Sequence, residues 1–236
     1  MDLKNILFLD IETVSCVPDY ANLNDRFKAL WQKKAAFLRS DDEKSFEELF
    51  FERAGIYAEF GKIVTIAVGY FVNNGETTSL RVKAFANDDE KIILQDFKNL
   101  LENHFDQNKL ALCAHNGKEF DFPYISRRML VNGLPAPACL QLSGKKPWEI
   151  LHLDTLELWK FGDRKNFTSL DLLAALFDIP SSKSDIDGSM VNHAYYIDKD
   201  LEKIAKYCKQ DVVVTAQLFL KFQCMPLVAP EDIHLV

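Results

Sequence analysis

The feature that constrains this chain most is a pair of apolar runs, Lys62 to Val72 (KIVTIAVGYFV) and Leu80 to Phe85, joined through Asn73-Asn74-Gly75. Asn-Gly between β-branched and aromatic runs predicts a β-hairpin, because both residues accept the positive φ of a tight turn. A hairpin with an apolar face needs a further layer to bury it. The chain supplies one directly: Asp88 caps a helix expected from Asp89 to about His104, with Ile92, Ile93, Phe97, Leu100 and Leu101 at helical spacing. Ile6 to Leu9 and Leu110 to Ala114 read as short buried strands, and Leu151 to Leu153 as a fifth. Further helices fit Pro123 to Val131, Leu170 to Phe177 behind Thr168 or Ser169, and about Leu201 to Phe222. The expected class is α/β, a central five-stranded mixed sheet flanked by helices.

Between Val14 and Gly61 the character changes. Two charged, aromatic stretches (FKALWQKKAAFL and SFEELFFERA) read as amphipathic helices, a helical insertion over about 15–60 that follows the first strand. Such stripes are expected to face a core, so the insertion should pack on the domain and not grip substrate. A chain of 236 residues with 48% apolar composition suits one domain over 1–223. Residues 224–236 then form a short tail, too short for another fold. No basic start with a small-residue cleavage site opens the chain, and no apolar run approaches the roughly 18 residues that span a bilayer. A soluble, cytoplasmic protein without a membrane partner is expected. The cysteines Cys16, Cys113, Cys139, Cys208 and Cys224 are scattered without zinc spacing, which suits a reducing compartment and gives them no expected chemical role. A net charge of −7 argues against a nonspecific nucleic-acid coat. It leaves room for an enzyme that recruits divalent cations with carboxylates.

Acidic residues carry the chemistry. In Asp10-Ile11-Glu12-Thr13, which is expected to end the first strand, alternation sets both carboxylates on one side, where they repel unless a cation lies between them. After the Leu110–Ala114 strand come Asn116 and Asp121, an amide suited to a phosphate or sugar oxygen and a carboxylate that could also cap the next helix. On the last helix Tyr207 and Asp211 lie one turn apart and share a face. Asp211 runs into Val212-Val213-Val214, where an unpaired carboxylate is costly.

In order, these motifs are D-x-E, N-x-x-x-F-D and Y-x-x-x-D. They resemble the DEDD superfamily of 3′-to-5′ exonucleases, with Ala58–Val64 (AEFGKIV) adding to the likeness. The His form of that superfamily needs a histidine at position 206, which is Lys206, so the chain resembles the Tyr subclass. It looks like the stand-alone bacterial family related to the proofreading domain of family B DNA polymerases. The resemblance implies a ribonuclease-H-like fold and two Mg²⁺ or Mn²⁺ ions held by Asp10, Glu12, Asp121 and Asp211. It implies a Tyr207 that orients the attacking water, with Thr13 and Asn116 touching substrate. The expected substrate is a single-stranded DNA 3′ end. An RNA-trimming enzyme of ribonuclease D type is a rival, because the motifs do not encode contacts to the 2′-hydroxyl. A silent nucleic-acid-binding module is a third reading.

Other candidates are weaker. His115 and His193 have no ligand-spaced partner and are expected to be structural. Lys160, Arg164 and Lys165 precede a helix start that could receive phosphate. The acidic loop Ser184 to Ser189 lacks the later glutamate of a calcium loop.

Overall fold

In the computed structural model, strand β1 (Ile6–Ser15) runs through the middle of a six-stranded sheet. The structure describes residues 2–38, 44–73, 75, 78–163, 167–180 and 186–236. Asn74, Arg164, Lys165, Asn166 and residues 184–185 lie outside these, so the turn, the basic cluster and part of the acidic loop are not described.

The expected hairpin is present as β2 (Gly61–Asn73) and β3 (Thr78–Ala86), in register from Thr65↔Ala86 to Asn73↔Thr78. With β4 (Ala111–Ala114), β5 (Leu153–Asp154) and β6 (Ile233–Leu235), the sheet order is β5-β4-β1-β2-β3-β6. Strands β4 and β5 run parallel to β1, and β2 runs antiparallel to it, so the sheet is mixed, in agreement with the expected ribonuclease-H-like class.

Two expectations need correcting. Five strands were expected, and the sixth comes from the segment read as a tail. Ile233-His234-Leu235 pairs parallel to Leu80-Arg81-Val82. Three residues carry no strand pattern of their own, and only the free edge of β3 makes them one. The first strand, read as an apolar run from Ile6 to Leu9 that ends in Asp10-Ile11-Glu12-Thr13, continues to Ser15 because β2 pairs with it as far as Ser15↔Gly61. Strand β4 accompanies β1 only up to Phe8↔Cys113, so Asp10 and Glu12 lie beyond the carboxyl end of β4, where β1 pairs with β2 alone.

Alternation along β1 divides the core. Leu7, Leu9 and Ile11 pack with helices α3 (Glu90–His104) and α4 (Asp121–Val131) on one face. Ile6 and Phe8 pack on the other against α8 (Leu201–Phe222), through Val212, Ala216 and Phe219. The insertion holds α1 (Asp25–Ala36) and α2 (Phe46–Arg53), which build their own cluster around Trp31, Phe50 and Phe60. Short helices α5 (Thr155–Lys160), α6 (Leu170–Leu176) and α7 (Val191–His193) complete the layers. No helix among the described residues is long and apolar enough to cross a membrane.

Candidate active site

Even-numbered residues of β1 face α8, so Asp10 and Glu12 continue the line of Ile6 and Phe8 and point at the helix that carries Tyr207, Cys208 and Asp211. From the other face Asp121 reaches the same place. It is the first residue of α4, and its Oδ1 accepts the Ile11 backbone N–H at 3.2 Å. It therefore does not cap its helix: the cap position is Phe120, which makes no side-chain cap bond. The four carboxylates meet at one end of the sheet. Glu12 is 8% exposed and Asp121 3%.

No lysine or arginine pairs with any of the four among the described residues. The electrostatic consequence is large. Burial raises the Asp10 carboxyl well above its ordinary range, and the charges of Glu12, Asp211 and Asp121 raise it further. Glu12 is raised in the same way, by burial and then by Asp211 and Asp121. Burial lifts Asp121 to about 7, against the hydrogen bond from Ile11. Asp211 rises to about 6, mainly by burial, with the Tyr207 hydroxyl pulling it down. The Tyr207 phenol is held well above its ordinary value by burial and by the charges of Asp211, Glu12 and Asp10. It therefore keeps its proton and acts as a donor.

One contributor was missed by the sequence reading. Cys208, expected to be inert, lies fully buried with its Sγ 3.2 Å from Asp10 Oδ2 and 3.3 Å from the Asp10 carbonyl. Donor atoms of Asp10, Glu12 and Cys208 lie within 4.8 Å of one another. A one-residue offset from Tyr207 on a helix gave a possible signal, but only the position of β1 decides what the thiol meets.

The loop after β4 is organised by a second missed residue, Asp154. Its Oδ1 accepts the N–H groups of Asn116 (3.0 Å), Leu156 (2.9 Å) and Glu157 (3.3 Å), and its Oδ2 accepts that of Lys118 (3.1 Å). Asn116 adopts a left-handed φ of 63°, a conformation that Asn tolerates better than most residues. At Gly117 a Cβ would collide with Ala114, so the chain can turn this tightly only with glycine there. No polar contact ties the Asn116 side chain to the carboxylates among the described residues. Thr13 lies beside Glu12 at a cavity, with its hydroxyl donating to the Gly55 carbonyl at 2.8 Å.

The histidines have partners. His115 bridges the Thr155 hydroxyl and the Thr168 carbonyl, both at 2.9 Å, and His193 lies 3.5 Å from Asp198. Asp187 accepts from Ser189 in a local turn.

The donor set suits hard divalent cations. Four carboxylates from three separate segments, two buried and two half-buried, with no counter-charge among the described residues, are stable as anions only when positive charge arrives from outside the chain.

Residues 56–228 match the family described as "Predicted 3'-5' exonuclease related to the exonuclease domain of PolB". The match takes in Asp121, Tyr207 and Asp211 and begins after the first strand. Among solved structures, the family B DNA polymerase from the hyperthermophilic archaeon Pyrobaculum calidifontis superposes with a TM-score of 0.59 at 16% identity. The alignment covers 92% of this chain and 24% of that polymerase. Comparison with the curated proteins gave no match.

Proposed function

We propose, from the premise that the chain belongs to this family of PolB-related 3′-to-5′ exonucleases, that it is a Tyr-subclass enzyme of the DEDD type. It would remove nucleoside monophosphates from the 3′ ends of single-stranded DNA. The observation that carries this reading is the convergence of Asp10, Glu12, Asp121 and Asp211 without a cationic partner among the described residues.

Those four residues would hold two Mg²⁺ or Mn²⁺ ions, which when bound supply an activated water and charge stabilisation at the leaving oxygen. Asp121 is fixed by the Ile11 N–H, which sets its height relative to β1. Asp10 is oriented by the Cys208 thiol, a contact in the position of the outer partners that fix metal-ligating carboxylates elsewhere. Tyr207 keeps its proton and sits against Asp211, so its role is to orient water by a hydrogen bond, not to remove a proton. Asp154 sets the backbone of Asn116, whose amide would meet a sugar or phosphate oxygen, and Thr13 lines the entry beside Glu12.

The test is digestion of matched 5′-labelled single-stranded DNA and RNA with Mg²⁺, Mn²⁺ or EDTA, beside Asp10→Ala. A metal-dependent ladder shortening from the 3′ end, absent in the variant, is expected, with DNA preferred. Preference for RNA would replace the substrate by an RNA 3′ end. No cleavage of either strand with either metal would overturn the reading in favour of a binding module.

A further inference from the structure

The insertion forms one wall of a cavity of about 360 Å³ next to Glu12. Glu12 and Thr13 line one side, Phe51, Arg53 and Ile56 line the other, and Phe120 adds a ring. We infer that Arg53, on the insertion's wall of this cavity, binds the phosphate chain of a single strand that reaches the carboxylates. The inference rests on the exonuclease reading and extends it to a region before the family match, which begins at residue 56.

A nucleotide asks for an apolar surface for the base and a cation for the phosphate. Phe51, Ile56 and Phe120 supply the first. For the second, the two charged residues at the end of α2 differ. Glu52 is paired with Lys44 at 2.7 Å, whereas Arg53 is exposed and makes no ion pair among the described residues. A free guanidinium beside a buried acidic cluster, in a chain of net charge −7, is arranged to meet an anion that comes between them. Asn192 adds a third feature. Its Oδ1 accepts from the Ser15 backbone at 2.9 Å, and its buried amide nitrogen has no acceptor among the described residues.

The wall is rigidly tied to β1. The Gly55 carbonyl accepts from both the Thr13 hydroxyl and the Tyr124 hydroxyl, each at 2.8 Å. A Cβ at Gly61 would run into that same Tyr124 hydroxyl, so the clasp closes only over glycine. Within the insertion, Ser45 and Glu48 form a reciprocal cap on α2, and Trp31 meets Phe50 edge-on at 5.2 Å. The backbone at the end of α2, which carries Arg53, is therefore held against β1 beside Thr13.

Binding of a 5′-labelled single-stranded oligonucleotide and its blunt duplex to the full chain in EDTA, across a salt series, tests this. Arg53→Gln should weaken single-strand binding about tenfold. It should lower the slope of log K against log salt by about 0.7, the loss of one phosphate contact. Lys91→Gln on α3 removes the same charge elsewhere and should change neither. Arg53→Gln binding like the wild type, equal losses in both variants, or duplex binding as tight as single strand would each overturn the inference. Expected binding by a chain that digests nothing overturns the hydrolysis reading alone.

Discussion

Two of the places where the molecule buries carboxylates are treated oppositely. Glu90, at the start of α3, is 6% exposed and fully partnered. Arg128 binds it with two nitrogens at 2.9 and 2.7 Å, and Asn132 and the Ile63 backbone each donate at 2.7 Å. Glu12 and Asp121 lie at a comparable depth, with the half-buried Asp10 and Asp211 beside them and a thiol, a phenol and one backbone N–H for company. A chain able to build the first arrangement could have neutralised the second. That it leaves the second electrically open is what separates a structural carboxylate from one kept for a ligand.

The sharpest break between the two regions should be in activity. Asp10→Asn is expected to cost at least about a thousandfold in digestion rate, the equivalent of several kcal/mol of lost charge stabilisation, while thermal unfolding without metal stays level or improves. A destabilised variant would mean that the open cluster is holding the fold together.

Removing Arg128 should do the reverse. Arg128→Ala leaves Glu90 buried and unpaired and should lower stability by about 3–5 kcal/mol in urea titration. Its digestion rate, measured well below the unfolding transition, should stay near that of the wild type.

The pH dependence separates the regions next. Folding raises the carboxyls of Asp121 to about 7 and Asp211 to about 6, above the roughly 3.9 of an unfolded aspartate. The folded state therefore binds protons more tightly. Its stability from these groups is present below about pH 4 and is lost as pH rises through 6 and 7. In EDTA the Tm should fall across that window, by about 2–4 °C for each kcal/mol lost. Added Mg²⁺ should restore it. A flat profile would mean that the cluster is neutralised from within.

The smallest effect belongs to Cys208. Replacing it by Ala frees Asp10 to turn and should weaken Mn²⁺ affinity about tenfold, read by the metal concentration for half-maximal digestion. Unchanged affinity would reduce the thiol to packing.

How much of this could be read from the sequence depended on how local its cause is. Helix α8 was legible to both ends because its apolar stripe runs for many turns, and the hairpin because Asn-Gly and two β-rich runs lie side by side. The motif residues were legible through their spacing, and the structure brings Asp10, Glu12, Asp121, Tyr207 and Asp211 to one place. The contributions of Asp154 and Cys208 were not. Asp154 takes its meaning from N–H groups nearly forty residues upstream, and Cys208 from a strand at the other end of the chain. The extension of β1 to Ser15 was hidden because its acids break the apolar run, while its pairing is fixed by β2.

Strand β6 has a consequence for handling the protein in solution. It covers β3 only along Leu80 to Val82, and Val236 adds one more bond to the Val82 carbonyl. If a protease or a poorly placed fusion stripped it away, β3 would become a bare, β-rich margin able to recruit the same margin of another molecule. Such material would clump while its carboxylate cluster, three strands distant across the sheet on β1, remained intact. Loss of soluble yield with normal specific activity in what remains is thus the mark of damage at the far end of the chain.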